Sequence, residues 1–367
     1  MNEFVNYLQT AKESLKNVTA SDAVHIIIGN ESCDLDSTVS SIALAYFLHY
    51  HKISEVPDSA IVVPVLNVSL ENFLLRAENC FVLEECGIPL DTFIYRDQID
   101  FVNLLKTSTV TVSLVDHHVL SRNDRILENN VIQIFDHRPV DPSSNWDSKK
   151  ISIKIDSVGS CSTLIAAKIL QASENILCKE LAYMIYETMV YDTVGLLPEN
   201  GRAKELDLKI ADQLEKSRAT VYEKVLKAHN DISHLTAKQI LLKDLKIVDD
   251  IPVPGLPMLL QSYLKIKNAH EAIKSFSEDY NSTIVILIGL EAANKVKRDV
   301  GIYWKGEGEV FKDILLDMFK RSDELKGYNF CFSEMCTGYN DIICLSQNNI
   351  KLTRKHIIPI IRDANIN

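Results

Sequence analysis

Short apolar runs dense in Val and Ile recur through the first half of the chain, and each gives way to a polar residue. Val24 to Gly29 precedes Asn30, Ile61 to Leu66 precedes Asn67, and Val110 to Val115 precedes Asp116. Thr92 to Tyr95 and Val131 to Phe135 follow the same rule, the last stopping at Asp136. A strand that is apolar at every position, rather than at alternate ones, is covered on both faces, as in a parallel sheet flanked by helices. The segments between the runs support this. Ser37 to His51 carries Val39, Ile42, Ala43, Tyr46 and Phe47 at helical spacing, and Ser162 to Gln171 and Lys179 to Tyr191 read as further helices. An α/β domain with a mostly parallel sheet is expected, and in such sheets ligands sit at the carboxyl ends of the strands.

At 367 residues the chain is long enough for two domains. Residues 206–228 read as a helical linker, which divides a metal-holding domain over 1–205 from a smaller, mixed α/β domain over 229–367. In the second part the pattern restarts at Leu235 to Lys246. Strands are expected at Met258 to Leu264 and Ile284 to Gly289, a helix at Val310 to Lys320, and a basic segment near Arg354.

The formal charge of −11 makes the overall field repel nucleic acid and anionic membranes, so neither is an expected partner. No stretch approaches the ~18–20 apolar residues of a membrane span. The eight cysteines form no Cys-x-x-Cys pair and read as reduced thiols, and no signal or transit pattern opens the chain, so a cytoplasmic location is expected.

Acidic residues fall where a parallel sheet places its functional groups. Asp34-Leu35-Asp36 lies in the turn after the first strand. Asp116 and Asp136 each end a strand and each precede a histidine, in Asp116-His117-His118 and Asp136-His137-Arg138, and Asp192 ends an apolar helical segment. Carboxylates and imidazoles on one edge suit Mn²⁺ or Mg²⁺, and two such ions can polarise a phosphoryl group. Each motif alone also has a bland reading, as a helix cap or a surface turn; their conjunction favours a site. His117 and His118 either orient carboxylates, contact phosphate or serve as structural histidines. Gly159 to Thr163, at the start of a helix, either binds an anion through backbone N–H groups or simply caps the helix.

Gly29 to Ser37, Leu114 to His118, Asp136 to Pro139, Val158 to Thr163 and Asp192 together resemble the DHH phosphoesterase superfamily. Leu242 to Lys246 and Thr353-Arg354-Lys355 resemble the phosphate-binding motifs of its DHHA2 accessory domain. The resemblance covers essentially the whole chain and points to the branch of family II inorganic pyrophosphatases and exopolyphosphatases. Within that branch, Asp136-His137-Arg138 resembles the prune group of animals, where pyrophosphatases have Asp-His-His.

The resemblance implies an active site in the cleft between the two domains, with two divalent ions, Mn²⁺ or Mg²⁺, and a bridging hydroxide as nucleophile. One ion would be held by Asp34, Asp116 and Asp192, with Asn30 as a weak ligand; the other by Asp36, Asp116, His137 and Asp192. Asp116, Asp192 and Arg138 are the implied catalytic residues, and Arg138, Lys246, Arg354 and Lys355 the implied substrate contacts. The implied activity is hydrolysis of short inorganic polyphosphates, and of pyrophosphate. Two departures from the pyrophosphatase pattern imply slower turnover. Asn30 replaces a His ligand, and Arg138 replaces a His that can carry a transferable proton, which guanidinium cannot. The prune resemblance also implies two alternatives: cyclic-nucleotide (cAMP) phosphodiesterase activity, or a regulatory role through binding of nucleoside diphosphate kinase.

Overall fold

In the computed structural model, which describes residues 3–20, 22–51, 53–54, 56–142, 144–172, 177–197, 201–214, 221–291, 296–326, 332–347, 349 and 353–366, the apolar runs of the first half form strands. The chain divides into two units, Met1–Asp231 and Ile232–Asn367. The first holds β1 (Ala23–Ile28), β2 (Ile61–Leu66), β3 (Ile94–Tyr95), β4 (Thr109–Val115), β5 (Val131–Asp136) and β6 (Ser152–Ile155). They lie in the order β3-β2-β1-β4-β5-β6, and every neighbouring pair is parallel, as the continuous apolar runs require. Ile26, Ile27, Ile28, Val63, Val65, Val112 and Leu114 are wholly buried between the layers. The strand order turns back at β1 and β4, the position where open parallel sheets form a crevice beyond their carboxyl ends.

One helix dominates this unit. Leu35–Tyr50 is buried at every residue from Leu35 to Leu48, so its apolar content extends around the whole circumference. The helical segment expected over 206–228 contains two helices, Glu205–Leu214 and Tyr222–Asn230, and residues 215–220 between them lie outside the described residues. Ile210, Ala211, Leu214 and Val225 from these helices join the core of the first unit.

The second unit contains β7 (Leu245–Val248), β8 (Ile251–Leu256), β9 (Ile284–Glu291), β10 (Lys297–Trp304), β11 (Phe332–Met335) and β12 (Ile342–Gln347), ordered β11-β12-β10-β9-β8-β7. It is the mixed sheet expected: β8 and β9 run parallel, the other neighbours antiparallel. Of the two strands expected, Ile284 to Gly289 lies within β9 and the other is displaced, while β7, β10, β11 and β12 were not anticipated. Met258 to Leu264 contains the short helix Leu260–Tyr263, and the strand lies upstream as β8. Pro252 and Pro254 disguise it. The Gly255 N–H donates to Asp244 O at 2.7 Å, so the alternate N–H groups face β7. The two prolines therefore turn their missing donors to the other side, where β9 pairs only with Gly255 and Leu256.

Asp299 on β10 is buried with one oxygen satisfied. Its Oδ2 accepts from the Leu260 N–H at 2.8 Å, while Oδ1 has no hydrogen-bond partner among the described residues. Burial pushes this carboxyl up to about 6. A folded-state value above the ordinary carboxylate range stabilises the fold at low pH, and that contribution is lost as pH rises through about 6. Asp299→Asn should therefore stabilise the second unit at pH 7.5 by up to about 3 kcal/mol, with the gain disappearing near pH 4. Urea denaturation of both proteins at the two pH values measures this; an equal effect at both would contradict it.

Candidate metal centre

The carboxyl ends of β1, β4 and β5 carry the acidic residues. Asn30 to Asp36 follow β1, Asp116 follows β4, and Asp136 closes β5 ahead of His137 and Arg138. The turn after β1 is tight because Gly29 permits it: a Cβ there would lie 2.0 Å from Ser37 Oγ. Cys33 and Asp116 both hold left-handed backbone, with φ of 48° and 57°. Such conformations cost of order 1–3 kcal/mol and mark places where the surrounding structure dictates the geometry.

Both oxygens of Asp36 are held by donors from across the fold. Its Oδ2 accepts from the Cys161 N–H at 2.6 Å, and its Oδ1 from the Ser162 N–H and Oγ, both at 2.7 Å. The first backbone N–H groups of the helix Cys161–Ala172 are thus taken up by a side chain of this protein, the Asp36 carboxyl group. The turn before that helix is fixed in its own right. The wholly buried Asp207 accepts from the Gly159 N–H at 2.8 Å and from Thr163 Oγ1 at 2.5 Å. A Cβ at Gly159 would sit 2.3 Å from Thr193 Cγ2, which seats the end of the helix Lys179–Asp192 against the same turn.

Asp116 lies at the centre. Its Oδ1 is 3.0 Å from Arg138 Nη2 and 3.5 Å from His137 Nε2, and His137 Nε2 is 3.9 Å from Asp36 Oδ2. Arg138 Nη1 also donates to the Asp116 carbonyl. The Asn30 amide NH₂ donates to Asp116 Oδ2 at 2.6 Å. His137 Nδ1 donates to Val158 O at 3.2 Å, which leaves the Nε2 lone pair directed at the two carboxylates. Burial first, and then the charges of Asp34, Asp36 and Asp136, push Asp116 well above the ordinary carboxylate range, with Arg138 opposing them.

Ligand atoms of Asp36, Asp116 and His137 all lie within 4.8 Å of one another, and Asp116 Oδ1 accepts no hydrogen bond among the described residues. Two carboxylate oxygens, one imidazole nitrogen and no thiolate form a donor set that fits a hard or borderline divalent cation. Cys161 is buried beside them with its thiol pushed well up by burial, so it stays protonated and outside the donor set.

His117 and His118 separate in role. His117 Nδ1 donates to Val115 O at 2.9 Å, within its own strand end, and burial lowers its pKa. His118 instead binds the wholly buried Asp136. Burial alone would raise Asp136, but the His118 hydrogen bond and the charge of Arg138 hold it well below the ordinary range.

The N-terminal domain of the DHH family matches residues 25–191, and the DHHA2 domain matches residues 223–364. The mouse protein named Exopolyphosphatase PRUNE1 is 30% identical over 373 residues, covering 98% of this chain and 78% of that protein. The chain belongs to the DHH family. Among other relatives of this DHH protein, human Exopolyphosphatase PRUNE1 is 30% identical, with 98% of this chain and 79% of the relative covered. A Manganese-dependent inorganic pyrophosphatase of Methanothrix thermoacetophila is 26% identical over 228 residues, 61% of this chain and 65% of that protein. A crystal structure from Methanococcus jannaschii, provisionally assigned as a family II inorganic pyrophosphatase, superposes with a TM-score of 0.57 at 17% identity. It covers 94% of this chain and 100% of its own, and establishes the shared fold.

The remaining residues of the DHH pattern are placed unevenly. Asp34 caps the helix Leu35–Tyr50, its Oδ1 accepting from the Ser37 N–H at 3.0 Å, and its charge acts on both Asp116 and Arg138. The oxygen of Asn30, the atom a cation would need, accepts from the Ser32 N–H, Ser32 Oγ and the Cys33 N–H. Asp192 ends its helix and stands beside Thr193, the residue seated against Gly159. In the DHHA2 unit, Arg354 Nη2 and Nη1 bind Asp244 Oδ1 at 2.7 Å and Asp244 O at 2.8 Å, next to the strand that carries Lys246. Lys355 is exposed on the first turn of the helix Arg354–Ile366. The sequence reading missed Asp207, and the Thr163-to-Asp207 pairing crosses 44 residues without a local motif to announce it.

Proposed function

We propose that this chain is a metal-dependent phosphohydrolase, an exopolyphosphatase that releases terminal phosphate from short inorganic polyphosphates and also accepts pyrophosphate. The observation that carries the reading is the convergence of Asp36, Asp116 and His137 with the Arg138 guanidinium in contact. The names of its relatives point to the same chemistry. The reaction joins water to a P–O–P bridge: the terminal phosphorus gains the water oxygen, and the bridging oxygen leaves with the shortened chain.

Two divalent ions are assigned to the site, manganese being favoured by the name of one relative. Asp36, Asp116 and His137 would hold one and Asp34 with Asp116 the other, with Asp192 as a shared ligand, while the Asn30 oxygen stays with the Ser32 and Cys33 donors of its own turn. When bound, such ions supply Lewis-acid polarisation of a phosphoryl oxygen and a lowered pKa for water. The protein's own part is positional and electrostatic. Arg138 offers a planar fork for equatorial phosphoryl oxygens, and its charge is kept permanent, since burial is outweighed by Asp116 and Asp136. Lys246, Arg354 and Lys355 are assigned to the leaving phosphates by motif resemblance. Association with a nucleoside diphosphate kinase and a cytoplasmic location rest on the sequence reading alone; no described helix is long and apolar enough to cross a membrane.

The test is phosphate release from tripolyphosphate and pyrophosphate, beside formation of AMP from cAMP, with Mn²⁺ or Mg²⁺. Tripolyphosphate should be the best of the three; cAMP turned over in preference would replace this reading with a phosphodiesterase.

A further inference from the structure

We propose that His118 is a positioning residue: acting through Asp136, it fixes the direction in which His137 and Arg138 leave β5. What this implies for catalysis rests on the phosphohydrolase reading, whereas the geometry stands without it.

The protonation pattern follows from the partners. The Asp141 N–H donates to His118 Nε2 at 2.8 Å, so that nitrogen carries no proton. The proton sits on Nδ1 and is donated to Asp136 Oδ2 at 2.5 Å. The other carboxylate oxygen, Oδ1, accepts from the backbone N–H groups of His137 at 2.7 Å and Arg138 at 3.1 Å. Asp136 is therefore a hub with the imidazole on one side and the two reactive residues' backbones on the other. His118 is itself anchored, since its carbonyl accepts from Trp146 Nε1 at 2.7 Å.

Removing the imidazole donor leaves Asp136 Oδ2 buried without the His118 hydrogen bond, and the carboxylate then gains by rotating toward another donor. Rotation releases the two N–H groups that Oδ1 holds. His137 Nε2 and Arg138 Nη2, now 3.5 and 3.0 Å from Asp116 Oδ1, lose the backbone anchor that aims them. Groups behind metal ligands typically contribute 10–100-fold to metal affinity or activity.

Two conservative variants separate positioning from bulk stability. His118→Asn places an amide N–H where Nδ1 stands and keeps the bond to Asp136. His118→Gln places its amide near Nε2 and keeps the bond to Asp141. Calorimetric Mn²⁺ affinity should fall about 10–100-fold in His118→Gln and His118→Ala and stay within roughly threefold of wild type in His118→Asn. In the ion-free proteins, the His137 and Arg138 amide protons should move upfield in Gln and Ala and hold in Asn. Equal behaviour of Asn and Gln, or Gln closer to wild type, overturns the proposal. Equal losses of thermal midpoint with unmoved affinity and amide shifts would do the same, leaving His118 merely structural. If wild type released no phosphate from any phosphoanhydride, the functional reading would fall, and the ion-free amide shifts would still decide the role of His118.

Discussion

Asp116→Asn should lower metal-dependent phosphate release by roughly a thousandfold, because it removes the carboxylate that faces both Arg138 and His137. The substitution keeps the shape and removes the charge. In the wild type, Oδ2 receives the Asn30 amide at 2.6 Å, while Oδ1 faces Arg138 Nη2 at 3.0 Å and His137 Nε2 at 3.5 Å. An asparagine has one oxygen for these two directions. Turned toward Asn30, its NH₂ meets the guanidinium, and turned toward Arg138, its NH₂ meets the amide of Asn30. Either way two donors oppose each other inside a buried site, which costs about 1–3 kcal/mol before any loss of cation binding. A cation that supplies several kcal/mol of transition-state stabilisation accounts for the rest. Parallel measurements of phosphate release and Mn²⁺ affinity check this; activity within tenfold of wild type would remove Asp116 from the centre of the site.

The second large effect is expected at Arg138, where Arg138→Ala should cost roughly 10²–10³-fold in kcat/KM for tripolyphosphate. Lysine should restore little of it. Arg138 Nη1 donates to the Asp116 carbonyl while Nη2 faces the Asp116 carboxylate, so the guanidinium plane is fixed by two contacts to one residue. A lysine ammonium is a point charge on a flexible stem and reproduces neither the plane nor the fork. Nor is the side chain saturated by the protein, since its buried Nε–H makes no hydrogen bond among the described residues. Arg138→His is the informative companion: it restores a transferable proton at the cost of the fork, and should shift relative turnover toward pyrophosphate. A variant that lost tripolyphosphate and pyrophosphate turnover in equal measure would contradict that division of labour.

The sheet of the first unit was legible because its strands are apolar at every position, a signal that survives without knowledge of partners. Ile26, Ile27 and Ile28 have no polar alternate face to offer solvent, and the structure gives them none. The second unit was harder to read for the opposite reason. Pro252 and Pro254 make β8 look like a loop until its neighbours show which side lacks hydrogen bonds, and the apolar stretch around Leu260–Tyr263 is too short for periodicity to separate helix from strand. In the site, the identity of the acids was visible from their place after strands, but their partners were not. Asp36 meets Cys161 and Ser162 across 125 and 126 residues, and nothing near Asp36 announces it. Asn30 was read as a weak ligand, whereas its orientation, oxygen toward Ser32 and NH₂ toward Asp116, depends on hydrogen bonds that only the fold creates. The same holds for His118, whose tautomer follows from the Asp141 backbone N–H.

The central claim is that a divalent ion at Asp36, Asp116 and His137 serves phosphoanhydride hydrolysis. Its most direct test is phosphate release from tripolyphosphate by chelator-treated protein as Mn²⁺ is returned, beside calorimetric titration of the same ion. The account predicts that release is negligible after chelation and recovers over the concentration range in which the ion binds. Undiminished release after complete chelation, or Mn²⁺ binding with no hydrolysis of tripolyphosphate or pyrophosphate, would contradict it.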